Sequence, residues 1–194
     1  MTGTAGHEEL PVAARVRRLE ERVIAAGLAT DDELDEVLAG LFADASPVNG
    51  ARIVARAWTD PAFRERLLAD GNAAAAELGF AVSGYRLRVV ANTTQSHNLL
   101  VCTLCSCYPV SLLGPSPSWY KSFAYRARAV REPRAVLSEF GVRLPEGVEI
   151  SVWDASAETR YLVLPNRPAG TEGLAEDELA RHVTRNGLIG TATV

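Results

Sequence analysis

The chain of 194 residues has few of the residues that usually announce chemistry. It holds three cysteines and three histidines in all. The cysteines are Cys102, Cys105 and Cys107, so none remains elsewhere to form a distant disulfide or a fourth thiolate. That excludes a disulfide framework and a four-cysteine zinc or iron–sulfur site. No apolar run approaches membrane-spanning length. There is no basic excess either: the net charge is −4, which argues against nucleic acid or an anionic membrane as partner. The polar start, Met1 to Glu9, lacks a basic-then-apolar export pattern, so the cytoplasm is the expected compartment. No Ser-His-Asp arrangement stands out.

What is present is ordinary in amount and concentrated in place. The hydrophobic fraction is 47% and the charged fraction 23%, normal for a globular chain able to bury a core. Residues 1–10 are expected to be disordered. Pro11 opens a helix with Val12, Val16, Leu19 and Val23 on one face, stopped by Gly27. Thr30 with Glu33 reads as a capping box for a second helix carrying Leu34, Val37, Leu38 and Leu41. Each helix offers one apolar stripe and little else. A helix follows over Asn49–Thr59, and another from Asp60-Pro61 through to Leu78, ended by Gly79. The period then changes. Arg86 and Arg88 alternate with Leu87 and Val89 as a half-buried strand, and Leu99–Val101 runs apolar into the cysteines. Residues 108–118, rich in proline, read as irregular. Helices are expected over 122–130 and 133–140, strands over 148–153 and 160–164, a helix over 174–184, and a last strand over 188–192. Helices first, then mixed strands and helices, gives an α+β class. The expected organisation is an N-terminal helical arm, 1–47, and a mixed α/β metal-binding core, 48–194.

Three thiolates within six positions suit one metal ion held by one loop. After Cys105 the chain must pass the ion so closely that the amides of Ser106 and Cys107 lie at bonding distance, and the small Ser106 permits this. Thiolates with deprotonated amides make a strong ligand field, favouring trivalent cobalt or iron over zinc. Two other readings stand beside this one. Structural zinc would need His7, His97 or His182 as a fourth ligand. A C-x-x-C redox pair would need a helix where Pro109 follows.

The run Val101-Cys-Thr-Leu-Cys-Ser-Cys-Tyr-Pro109 resembles the metal loop of nitrile hydratase α subunits, in the cobalt-type form marked by Thr103. The segments Asn49–Arg52, Ala57-Trp58, Asp60–Arg66, Trp119–Arg128, Val130–Arg134, Val152–Asp154, Arg160–Pro165 and Arg167–Gly173 are similar to that family too. The resemblance extends over residues 48–191 and reaches the related thiocyanate hydrolase γ subunit. It implies a low-spin Co(III) centre, with Fe(III) as the alternative, held by Cys102, Cys105, Ser106 and Cys107. It implies that Cys105 becomes a sulfinic acid and Cys107 a sulfenic acid, with Cys105 and Cys107 as the catalytic pair. It implies one β-type subunit or two, clasped by the N-terminal arm, whose arginines protect the oxidised sulfurs, and a cobalt-insertion activator protein. The reaction implied is addition of water to a small-molecule nitrile to give the amide.

Thr103, Val110, Trp119 and Arg160 are the expected pocket-lining or supporting residues, with Asp154 and Tyr120 beside them. For a strand-end charge such as Asp154 or Arg160, an ordinary surface pair is an equal reading. For Trp119-Tyr120 the plain reading is packing. For the run Arg126, Arg128, Arg131 and Arg134 it is a solvated face, against subunit contact by resemblance. The chain departs from the family where Val110 and Ser111 replace tryptophan and proline, where Pro115-Ser116 replaces Leu-Pro, and near Ser83, where a glutamine is usual. These changes remove bulk, and a bulky nitrile such as the nucleoside toyocamycin is the expected substrate. The alternatives are thiocyanate hydrolase γ-type chemistry and a zinc-stabilised, non-catalytic interaction subunit.

Overall fold

A computed structural model describes residues 11–194. The reading of 1–10, with His7, lies outside the described residues. The chain divides into two compact units, with the boundary between Ala43 and Asp44.

The described part of the first unit is two helices. Helix α1 spans Val12–Ala25, with Pro11 just before it. Gly27 turns left-handed at φ 66°, and the Leu28 N–H reaches back to the Val23 carbonyl. Helix α2 spans Asp31–Ala43. Its start is the capping box read from the sequence: the Thr30 N–H donates to Glu33 Oε2 at 2.8 Å, and the Glu33 N–H donates to Thr30 Oγ1 at 3.2 Å. Helix α1 buries no residue, and Val12, Val16 and Leu19 stand exposed.

The second unit opens with α3, Pro47–Thr59, capped by Ser46. Helix α4, Pro61–Ala69, starts at the Asp60-Pro61 signal, the Phe63 N–H donating to Asp60 Oδ1. Here the structure corrects one expectation. The helix does not run on to Leu78. It breaks at Asp70, which is extended at φ −144° and caps a new helix, α5, Gly71–Glu77. Proximity to the strand enforces the break: a Cβ at Gly71 would lie 2.7 Å from the Leu87 carbonyl oxygen.

Four strands follow in two parallel pairs. Strand β1, Arg86–Ala91, pairs with β4, Thr159–Leu164, from Arg86 opposite Thr159 to Ala91 opposite Leu164. Strand β2, Ser96–Val101, pairs with β3, Glu149–Asp154, so that Val101 lies opposite Asp154. Strand β1 buries Leu87 and Val89 and exposes Arg86 and Arg88, as its alternation predicts. Parallel strands need long crossovers. The one from β2 to β3 contains a short helix α6, Val110–Leu113, a 3-10 turn, Ser118–Lys121, then α7, Phe123–Arg131, and α8, Pro133–Glu139. The segment 108–118, read as irregular, therefore holds one turn of α-helix, which buries Leu112 and Leu113.

Helix α9, Glu176–His182, and α10, Arg185–Ile189, close the chain. The strand expected over 188–192 is thus a helix end. A short apolar run carries no period by which to separate the two. Thr184 caps α10, and Gly190 ends it at φ 91°. Gly190 is obligatory there: an added Cβ would fall 1.9 Å from the Asn98 carbonyl oxygen. The core runs from α3 through the strands to α10, with Ile53, Leu99, Leu162 and Leu188 fully buried. The order of elements is that of an α+β protein.

Candidate metal centre

Strands β2 and β3 end side by side, and the cysteines leave directly from the end of β2. The Ala155 N–H donates to the Val101 carbonyl at 2.7 Å, so the two strand ends stay joined up to the first cysteine. Open parallel sheets place ligands at this carboxyl edge.

The three sulfurs converge. Cys102 Sγ lies 3.4 Å from Cys105 Sγ, and Cys105 Sγ lies 3.2 Å from Cys107 Sγ. All three fit within 4.8 Å of one another, and no histidine or carboxylate joins them among the described residues. Cys102 is buried, Cys107 half-buried and Cys105 exposed. Donors from the Cys107 and Cys102 thiols hold the Cys105 thiol down to about 7, helped by the backbone N–H groups of Cys107 and Ser106. Burial, followed by the neighbouring Cys105, pushes Cys107 up to about 12. The central thiol is therefore the easier of the pair to deprotonate. Three soft donors facing one space fit a single thiophilic ion. The three thiols fit a cobalt or iron centre held by Cys102, Cys105 and Cys107.

Side chains distant in sequence hold this loop. Asp154, the last residue of β3, accepts from the Thr103 N–H at 2.9 Å and from Thr103 Oγ1 at 2.5 Å. Arg126 Nη2 donates to the Thr103 carbonyl at 2.7 Å. Tyr120 Oη donates to the Cys107 carbonyl at 3.1 Å. Arg160 Nη1 donates to the Tyr108 carbonyl at 2.8 Å, and its guanidinium stacks 4.2 Å over the Tyr85 ring. Tyr85 Oη meets Ser111 Oγ at 3.3 Å. Burial keeps the Tyr120 phenol protonated, raising it well above its ordinary value, so it stays a donor.

Of the residues singled out from the sequence, Thr103, Asp154, Arg160 and Tyr120 touch the loop or its flank. Val110 opens α6 three positions after Cys107 and is half-buried. Trp119 sits one layer back, with ring centroids 4.8 Å from Tyr125 and 4.7 Å from Phe140, in an aromatic stack behind Tyr120. The four arginines divide. Arg126 reaches the loop, Arg128 pairs with Glu132 and Glu139, Arg134 donates to the carbonyls of Leu144, Pro145 and Val148, and Arg131 is exposed. His97 is structural. Its Nε2 lies 2.7 Å from the Gly190 carbonyl, and burial holds the ring below its ordinary titration range. His182 lies at the exposed end of α9, outside the cysteine cluster. Sequence reasoning missed Tyr85 as a support and read Arg126 only within a basic run, as a solvated face or subunit contact, whereas it reaches the Thr103 carbonyl.

The family described as nitrile hydratase, alpha chain, matches residues 10–192. The low-molecular-weight cobalt-containing nitrile hydratase α subunit of Rhodococcus rhodochrous is 49% identical over 191 residues, covering 98% of this chain and 92% of that one. The thiocyanate hydrolase γ subunit of Thiobacillus thioparus is 47% identical over 158 residues, 75% of this chain and 65% of that one. Among solved structures, a double mutant of the Fe-type nitrile hydratase from Comamonas testosteroni Ni1 superposes with a TM-score of 0.87 at 43% identity, covering 99% of this chain and 92% of that chain. A cysteine claw at the carboxyl edge of paired parallel strands, in a chain matched almost end to end, places this protein in the nitrile hydratase α-chain family.

Proposed function

We propose that the chain is the metal-carrying α subunit of a cobalt nitrile hydratase, which adds water to a nitrile and yields the amide. The observation that carries this reading is the convergence of the Cys102, Cys105 and Cys107 sulfurs within 4.8 Å of one another. The cobalt-containing relatives at 44% to 49% identity favour cobalt over iron. When bound, the ion supplies Lewis acidity toward the nitrile or toward water.

The chain's own residues do the rest. Cys102, Cys105 and Cys107, with the Ser106 and Cys107 amides, hold the ion. Cys105 is carried as a sulfinic acid and Cys107 as a sulfenic acid, and the Cys107 oxygen serves either as the base that takes a proton from the attacking water or as the nucleophile at the nitrile carbon, with water then restoring the sulfenic oxygen. The exposure of Cys105 supports access of oxidant to the loop. Thr103 fixes the loop's start against Asp154, and Arg160 fixes its exit through the Tyr108 carbonyl. One or two β-type subunits complete the site, clasped by the helices of residues 1–47, whose exposed Val12, Val16 and Leu19 support that role. A cobalt-insertion activator loads the ion. No helix among the described residues is long and apolar enough to cross a membrane. We assign the chain to the cytoplasm, where its thiols stay reduced until loading.

Val110, half-buried at the start of α6, supports a pocket with room for a bulky nitrile. Val110→Trp is expected to cut activity on bulky nitriles more than on small ones, and equal loss on both removes the size argument. The second reading, thiocyanate hydrolase γ-type chemistry, is favoured by the 47% identical relative. Co-expression with the β-type subunits and the activator separates the readings. Cobalt, three added oxygens on the Cys102–Cys107 peptide and amide formation support the hydratase. Turnover of thiocyanate and not of nitriles supports the second reading. Zinc with three free thiols overturns both.

A further inference from the structure

The segment 118–131 grips the end of β2 at one carbonyl and the cysteine run at two. Tyr125 Oη donates to the Leu100 carbonyl at 2.5 Å, Arg126 Nη2 to the Thr103 carbonyl at 2.7 Å, and Tyr120 Oη to the Cys107 carbonyl at 3.1 Å. The two tyrosines are buried and belong to the aromatic core. Arg126 differs from them, because it connects the loop to the surface. Its guanidinium lies 5.2 Å from the centroid of the Phe123 ring, and Phe123 is 84% exposed. Leu104 follows Thr103 in the chain and is 89% exposed. The Arg126 Nε is buried and has no hydrogen-bond partner among the described residues.

Helix geometry explains why Arg126 alone does this. Residues two apart on a helix point about 200° from each other. Arg128 accordingly faces away, into its pairs with Glu132 and Glu139. A hydrogen bond from a guanidinium to a carbonyl is weakened by competing water and strengthened when water is excluded. The Arg126 guanidinium has an exposed apolar ring beside it, and the residue that follows the carbonyl it binds is exposed and apolar too. Any surface that covers them dries that bond.

We propose that Arg126 is a positioning residue for the cysteine loop, and that the β-type subunit tightens the loop through it by covering Phe123 and Leu104. This rests on the reading of the chain as an α subunit working with a β-type partner. Docking then fixes the Thr103 carbonyl, while Asp154 already holds the Thr103 N–H and hydroxyl from the other side. The clamp on the loop's first turn, already formed by Asp154 and Arg126 in the chain alone, becomes dry and tight on assembly.

Amide hydrogen exchange of residues 103–107 tests this in the isolated full chain and in the co-expressed heteromer. In the native sequence, assembly is expected to slow loop exchange about tenfold, the scale of one charge-assisted hydrogen bond. Arg126→Met should cut that slowing to less than about threefold, and Arg126→Lys, which keeps a donor, should restore most of it. Phe123→Ala changes an exposed side chain and leaves the fold intact, so it serves where Arg126→Met fails to assemble, and it should also reduce the slowing. Undiminished slowing in Phe123→Ala or Arg126→Met, or none in the native sequence, overturns the proposal. Exchange does not depend on turnover. An inactive heteromer with the expected exchange pattern therefore sinks the hydratase reading alone, and an active one whose variants exchange normally sinks this proposal alone.

Discussion

The two units of this chain solve opposite problems. Helices α1 and α2 are locally well specified, with a proline start, a glycine stop and a closed capping box, yet α1 buries nothing. The second unit has weaker local signals in places, with helices as short as α6 and α10, yet it encloses a continuous core. Capping satisfies backbone ends, but it does not replace the burial that makes a helix persist. The contrast teaches that local helix signals and burial are separable: α1 has the signals without burial, whereas the second unit has the core that holds the cysteine loop in place.

The contrast breaks first at Gly190. Gly190→Ala drives a Cβ into the Asn98 carbonyl and should cost more than about 3 kcal/mol of stability, read by denaturant unfolding. Leu99→Ala, at a fully buried position beside the cysteine loop, should cost about 2–5 kcal/mol. The next effect is an acid one. Burial depresses His97 below its ordinary value near 6.5, so the unfolded chain takes up this proton more readily than the folded one. Stability should then be level above about pH 6.5 and fall as the pH drops below it, with a slope of at most about 1.4 kcal/mol per pH unit from this group. His97→Gln should flatten that slope, as followed by unfolding at a series of pH values. Asp154→Ala should leave the core in place but free Thr103, lowering stability by about 1 kcal/mol and reducing metal retention against a chelator. The smallest effect is expected in α1. Leu19→Ser should shift the unfolding of the isolated chain by less than about 0.5 kcal/mol, because the side chain is 61% exposed, while weakening assembly with a β-type subunit in a pull-down titration.

Several elements were legible because their causes are local. Thr30 and Glu33 are three residues apart, and Asp60-Pro61 is a cap and a first-turn residue side by side, so both helix starts could be read directly. Strand β1 declared itself through Leu87 and Val89 against Arg86 and Arg88. The end of α4 was not legible, because Asp70 breaks the helix to let Gly71 pack on the Leu87 carbonyl, a contact between elements. Residues 188–192 were misread as a strand because the left-handed turn at Gly190 is shaped by Asn98 and His97, more than ninety positions earlier.

The same division runs through the metal centre. The spacing of Cys102, Cys105 and Cys107 determined by itself which residues can share one ion, since six consecutive residues cannot separate far. It also determined that no other cysteine competes. Tertiary structure alone decided what holds the loop: Asp154 on Thr103, Arg126 and Tyr120 on the carbonyls, and Arg160 at the exit. Those partners lie 13 to 52 positions away along the chain. The parallel register of β2 with β3 brings Asp154, the crossover between them brings Tyr120 and Arg126, and β4, paired with β1, brings Arg160, because ligand identity is set by the chain's local chemistry and ligand support by its path through space.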